Sequence, residues 1–295
     1  MIERIIEIAE QSAFLNLNNN LLNIQLPNGQ NVTVPIGEIQ CLILANPAIT
    51  ITGALLAALA EAGAAVVVSD KNRLPIAMHL PLNGNYIQNE RFRHQINAKL
   101  PLQKRLWQTI IQEKIWRQGE LLLRLHGDDF GLLNLSEKVR SGDPDNIESR
   151  AAVIYWKNFW KKSFHRNRDA EDSNMLLNYG YAVLLSAFNR EIVASGYLTQ
   201  IGIWHDNEFN QFNLACDLME PFRVIVDRVA FELQEGDKEF KRKMTNVLNY
   251  KTLIDGKHTT LDLAIRQYTK SIFYALAKGD EKLILFPEKT TQDEL

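Results

Sequence analysis

Short runs in which apolar and polar side chains alternate fill the first 80 or so residues, with turn residues between them. Phe14, Leu15 and Leu17 precede an Asn18-Asn19-Asn20 turn; Leu22, Ile24 and Leu26 precede Pro27-Asn28-Gly29; Val32, Val34 and Ile36 follow it. Period-two apolar residues around Asn/Gly clusters predict β-hairpins, since strand side chains alternate between faces and tight turns need positive φ. Cys41 to Leu44 and Ala64 to Val68 are unbroken runs of apolar β-formers, and an Ala/Leu-rich helix is predicted between them from about Thr52 to Ala62. Met78 to Leu82 closes the region.

From Asn85 onward the apolar period changes to 3.6. Ile96, Leu100, Leu106, Ile110, Ile111 and Ile115 fall at helical steps, and later segments do the same to about Lys278. The pattern predicts an α+β, two-domain chain. A small β-rich N-terminal domain covers residues 1–83, with a Pro/Asn/Gly linker at Pro81 to Asn85, and a larger all-α domain covers residues 84–285. The polar end, residues 286–295, reads as a disordered tail.

Composition narrows the class. With 295 residues, 46% of them apolar and 23% charged, the chain is globular in character, which excludes a disordered, collagenous or disulfide-scaffold protein. Cys41 and Cys216 show no Cys-x-x-Cys spacing and read as small core residues in a reducing cytoplasm. Glu3, Glu7 and Glu10 stand where a signal peptide needs a basic lead and an apolar run. The segment Ile49 to Val68 is broken by Thr50, Thr52, Glu61 and Gly63, short of the ~18 apolar residues of a span, so no membrane partner is expected.

A net charge of -2 argues against nucleic-acid binding until it is divided along the chain. Residues 1–85 carry 3 basic and 6 acidic residues, residues 86–170 carry 16 and 10, and residues 171–295 carry 14 and 19. The neutral total hides a basic middle. Its densest part interleaves Lys157, Lys161, Lys162, Arg166 and Arg168 with Trp156, Phe159, Trp160 and Phe164. Trp156, Trp160 and Phe164 step by four and are predicted to face the core, leaving Lys157, Lys161 and Arg168 together on another face. That face fits either a solvated surface or contact with phosphates.

No Gly-x-x-x-x-Gly-Lys-Ser/Thr, Gly-x-Gly-x-x-Gly or Gly-x-Ser-x-Gly pattern occurs, so nucleotide hydrolysis, dinucleotide redox chemistry and the hydrolase elbow have no support. The densest chemistry lies between Ile201 and Arg223. Asp217 and Glu220 are three apart and would point the same way on a helix, although Pro221 implies a first turn or a kink there. His205 precedes them in a loop-like stretch. One histidine with two carboxylates suits Mn²⁺ or Mg²⁺ acting on phosphate oxygens, although a lone histidine beside carboxylates is more often a hydrogen-bonded structural residue.

These residues carry a family resemblance. Asp217-Leu-Met-Glu220-Pro-Phe-Arg223 after Gly202-Ile-Trp-His205, with Asn146-Ile-Glu148-Ser-Arg150 and Tyr155-Trp156 upstream, resembles the CRISPR-associated protein 1 family of spacer-acquisition integrases, and most of all its type II members. Val34-Pro-Ile36 through Ala65-Val-Val-Val68-Ser-Asp70 looks like that family's β domain. The resemblance implies that Glu148, His205 and Glu220, spaced by 57 and 15 residues, are the catalytic ligands of Mg²⁺ or Mn²⁺. Many members have aspartate where this chain has Glu220. Asp217 is then a neighbouring carboxylate that orients a ligand, and Arg150, Lys157, Lys161, Lys162, Arg166 and Arg223 are candidate DNA contacts.

The activity so implied is integrase and endonuclease chemistry: the 3′-hydroxyl of a short prespacer DNA duplex attacks a phosphodiester at the end of a CRISPR repeat. The implied assembly is a homodimer contacting through the β domain, with two such dimers bridged by a small companion, CRISPR-associated protein 2. Two rival readings remain at this level. One is a non-catalytic DNA-binding scaffold whose His/Glu set is structural, and the other is a generic metal-dependent DNA nuclease.

Overall fold

The Asn/Gly clusters become hairpin turns in the computed structural model, which describes residues 4–70, 75–82, 87–160, 166, 173–233 and 240–288. Strand β1 (Arg4–Ile8) is followed by β2 (Phe14–Asn18), β3 (Leu21–Gln25) and β4 (Asn31–Pro35). Asn19 and Asn20 join β2 to β3 with φ of 49° and 60°, which asparagine tolerates better than most side chains. The register pairs Leu15 with Ile24 and Ile24 with Val32, so the alternating apolar set shares one face.

Next come β5 (Ile39–Leu44), β6 (Thr50–Ile51), helix α1 (Gly53–Glu61), β7 (Ala65–Ser69) and β8 (Pro75–His79). One sheet has the order β1-β5-β7-β8, parallel except for β8; the other runs β4-β3-β2-β6. All six residues of β5 are buried, which is why Cys41 to Leu44 is continuously apolar rather than alternating, with Gln40 the one polar residue of the strand. Thr52 caps α1 by accepting from Leu55 N–H at 3.4 Å. Leu15, Leu22, Leu42, Leu55, Leu59 and Val66 have no exposed surface, and burying each stabilises the fold by about 1.5–3 kcal/mol. These elements lie in a compact unit made of Met1–Gln88 and Asn189–Gly196.

Asn89–Phe188 and Tyr197–Leu295 form a second unit. The helices from here on are α2 (Gln88–Ile96), α3 (Leu100–His126), α4 (Leu132–Glu137), α5 (Ile147–Phe159), α6 (Ser173–Ala194), α7 (Asn213–Met219), α8 (Arg223–Glu232) and α9 (Phe240–Thr245). The last turns of α6 are counted with the first unit. Helix α3 is the scaffold: Pro101 opens it, Gly127 closes it in the left-handed region, and α4, α5, α7 and α8 pack on it. Leu106, Trp107, Ile110, Ile111, Ile115 and Leu122 form its buried stripe.

The helical part is not all-α. A hairpin of β9 (Lys251–Ile254) and β10 (Lys257–Thr260), turned through Asp255 and Gly256 at positive φ, precedes α10 (Leu261–Lys278). Its Asp-Gly turn between β-branched residues is the hairpin signal that the surrounding helical period obscured. The basic helix also ends sooner than expected. Helix α5 stops at Phe159, Trp160 is already extended, and the buried stripe is Ile147, Ala151, Tyr155 and Phe159, while Trp156 and Trp160 are half-buried. Tyr155 takes the interior place because its hydroxyl donates to buried Asp227 at 2.8 Å. Lys161, Lys162, Phe164 and Arg168 lie outside the described residues.

Cys41 is buried, but Cys216 is only half-buried and lines a cavity. Of residues 286–295, those described are packed: Phe286 lies 5.3 Å from the Tyr268 ring, and Glu288 N–H donates to the Leu253 carbonyl at 2.6 Å. Among the described residues no helix is long and apolar enough to cross a membrane.

Candidate metal centre

Glu148 opens α5. The Asp143 carboxylate accepts from the backbone N–H groups of Ile147 and Glu148 at 2.8 and 3.0 Å, fixing the first turn, where a carboxylate is also favoured by the helix dipole. Glu220 is set by a different device. Helix α7 ends at Met219, a 3-10 turn runs Glu220–Phe222 with Pro221 inside it, and α8 starts at Arg223. Asp217 and Glu220 are therefore not two carboxylates on one face of a continuous helix. Pro221, just after Glu220, cannot continue the helix, so α7 ends at Met219 and the two carboxylates serve different partners.

Glu220 is buried and held on both oxygens. Arg223 Nε lies 3.0 Å from Oε1, and Lys114 Nζ lies 2.8 Å from Oε2. Burial alone would push its pKa up, but Arg223 and Lys114 outweigh it and hold the carboxyl down at about 2. The same Lys114 ammonium lies 2.6 Å from Glu148 Oε1, so the two carboxylates, 72 residues apart, converge on one cation. Burial works to lower the Lys114 pKa, and the two glutamates more than reverse this and keep it charged.

Asp217, with no exposed surface, organises the His205 loop. It accepts from the N–H groups of Ile203 at 2.6 Å, Trp204 at 2.9 Å and His205 at 3.2 Å, and it also bonds the His205 ring at Nδ1. That bond raises the ring's pKa against partial burial, and Glu220 and Glu148 add to the effect. The Trp107 ring stands edge-on to the imidazole, 5.4 Å away. Gly202 makes the approach possible, since a Cβ there would overlap the His205 carbonyl and the Asp217 carboxylate.

Among the described residues no three His, Cys, Asp or Glu side chains already stand in metal-holding geometry, and Lys114 occupies the point where the two glutamates meet. The donor set nevertheless fits a divalent cation. Two carboxylate oxygens aim at one positive centre, and a histidine with Nδ1 committed to a carboxylate presents Nε2, the arrangement that orients imidazole ligands.

The candidate DNA contacts divide. Arg150 and Lys157 are exposed on α5, seven residues apart and so on one face, with exposed Val153 between them. Arg223 is committed to Glu220 and sits 4.8 Å above the Tyr181 ring. Arg166 donates to Asn174 and Asn178 at 3.0 and 2.7 Å and lines, with Lys114, Trp156, Tyr181 and Arg223, a cavity of about 610 Å³ beside Glu220. Lys114 was not legible as a site residue, although a lysine within the apolar stripe Ile110, Ile111, Ile115 is itself the signal.

The family model described as CRISPR associated protein Cas1 matches residues 6–255. The chain is 34% identical over 284 residues to the CRISPR-associated endonuclease Cas1 of Neisseria meningitidis serogroup C (strain 8013), covering 93% of this chain and 92% of that protein. Its fold is similar to a casposase bound to integration product, with a TM-score of 0.80 at 19% identity over 95% of this chain and 92% of that one. It is also similar to a Cas6-RT-Cas1–Cas2 complex, with a TM-score of 0.78 at 18% identity over 99% of this chain and 36% of that one. The chain belongs to the CRISPR associated protein Cas1 family.

Proposed function

We propose that the chain is a metal-dependent DNA integrase and endonuclease of CRISPR adaptation, which joins the 3′-hydroxyl ends of short prespacer duplexes to the CRISPR repeat by transesterification. The observation that carries this reading is the convergence of Glu148 and Glu220 on a single cation, with the neighbouring His205 ring oriented by Asp217. The endonuclease name of the Neisseria relative and the integration product in the casposase structure point the same way.

Glu148, His205 and Glu220 are the proposed ligands of Mg²⁺ or Mn²⁺. When bound, the ion supplies Lewis-acid stabilisation of charge on the phosphate oxygens and eases deprotonation of the attacking hydroxyl. Asp217 holds the imidazole in one tautomer. Arg223 keeps Glu220 ionised in a buried setting. Arg150, Lys157 and Arg166 are the proposed phosphate contacts, joined by Lys161 and Lys162.

Two nicks on two strands at a fixed spacing require two active sites. The proposed assembly is a homodimer joined through the β-rich N-terminal domain, with two dimers bridged by Cas2 in a reducing cytoplasm; the Cas1–Cas2 complex among the similar folds supports that partner. The test combines the protein with Cas2, a short duplex bearing free 3′ ends, a supercoiled repeat-containing plasmid and Mn²⁺. Covalently joined product supports integration. Cleavage without joining indicates a plain nuclease, and neither product indicates a scaffold.

A further inference from the structure

We infer that Lys114 is a tethered cation for this site: its ammonium fills the point between Glu148 and Glu220 in the metal-free protein, and a divalent ion displaces it on binding. The inference rests on the reading of those glutamates as metal ligands. Nζ lies 2.6 Å from Glu148 Oε1 and 2.8 Å from Glu220 Oε2. An ion bonded to the same two oxygens at about 2.1 Å occupies the volume that Nζ fills, so the two cannot be present together.

The arrangement explains why a lysine stands buried in the stripe of α3. Without a metal, two glutamates brought together by α5 and the 3-10 turn repel each other, and a buried charge without a partner is strongly unfavourable. One ammonium on a four-carbon stem bridges the pair and, with Arg223 on the other oxygen of Glu220, balances its two charges and keeps it formed. Of the two cations on Glu220, Lys114 is the one able to leave. Arg223 is fixed by its Nε contact to Oε1 and by stacking over Tyr181, whereas Lys114 borders the cavity of about 610 Å³, whose lining includes the acceptors Gln118, Asn178 and Asn207. In that cavity the displaced ammonium joins Arg166 and Arg223 on the side where DNA phosphate is proposed to lie.

The test is calorimetric titration of the full chain with Mn²⁺ alone, without DNA, for wild type, Lys114→Met, Lys114→Gln and Glu148→Gln. Removing the competing ammonium is expected to tighten Mn²⁺ binding on the order of 10-fold and to enlarge the rise in Tm on adding Mn²⁺. Lys114→Gln retains a polar side chain and carries the same test if Lys114→Met does not fold. Folded Lys114 variants that bind Mn²⁺ no tighter than wild type overturn the tether, provided that wild type loses binding in Glu148→Gln. If wild type binds no Mn²⁺, or Glu148→Gln binds it equally well, the metal reading itself fails and the tether falls with it.

Discussion

Asp217 grips His205 twice: one carboxylate oxygen takes both the backbone N–H and the ring Nδ1 of the histidine, while the other takes the N–H groups of Ile203 and Trp204. The aspartate therefore sets both the loop and the ring. Asp217→Asn places an amide N–H₂ against donors and loses the charge that fixes the tautomer. Mn²⁺ affinity and strand transfer should fall by about 10–100-fold in this variant, with the Glu148–Lys114–Glu220 cluster intact. Calorimetry and a joined-product assay check it; unchanged metal affinity would remove Asp217 from the site.

Gly202 supports the same loop by having no side chain. A Cβ at this position meets the His205 carbonyl and the Asp217 carboxylate, neither of which can yield without breaking the hydrogen bonds just described. Gly202→Ala should destabilise the protein by about 1–3 kcal/mol and lower metal affinity in parallel. Urea denaturation and Mn²⁺ titration of the same preparation give both numbers. A variant as stable as wild type, with normal affinity, contradicts the close approach.

Two buried carboxylates give opposite pH dependence. Burial raises Asp227 from 3.8 to about 6 although Tyr155 and Tyr181 both donate to it. The folded protein thus holds a proton there that the unfolded chain releases, and about 3 kcal/mol of stability is lost as pH rises from about 4 through 6. Glu220 is held at about 2 instead of 4.5, chiefly by Arg223 and Lys114 acting against burial, so its contribution is present above pH 4.5 and is lost as pH falls towards 2. Urea midpoints across this range, in metal-free buffer, should show the pH 4–6 loss in wild type and not in Asp227→Asn. Identical profiles would mean Asp227 titrates normally.

Exposed Arg150 and Lys157 share one face of α5 that is open to a DNA backbone. Replacing Lys157 with Ala should weaken DNA binding and reduce the slope of log K against log salt by about 0.9 for one lost phosphate contact. Arg150→Ala should act alike and additively. Salt slopes equal to wild type in both variants would return this face to ordinary solvated surface.

Much of the first unit was legible because local pattern and tertiary environment agree there. The Asn19-Asn20 turn, the fully buried β5 and the Thr52-capped α1 each follow from period, turn chemistry or capping. The break at Pro221 was also legible as a kink. The β9–β10 hairpin and the buried face of α5 were not, since a lone Asp-Gly is weak against helical surroundings and Trp156 matches the four-residue step as well as Tyr155 does. The site was legible in part. Glu148 came forward through family resemblance alone, and Lys114, Asp143 and Gly202 act through contacts whose partners lie 3 to 106 residues distant, at separations that no single local period encodes.

The most direct measurement is an anomalous difference map from a crystal of the protein soaked in Mn²⁺. The account predicts a peak about 2.1 Å from oxygens of Glu148 and Glu220 and from Nε2 of His205, with Lys114 Nζ moved away from both glutamates. A peak elsewhere, or none while Lys114 still bridges Glu148 and Glu220 in saturating Mn²⁺, would contradict it.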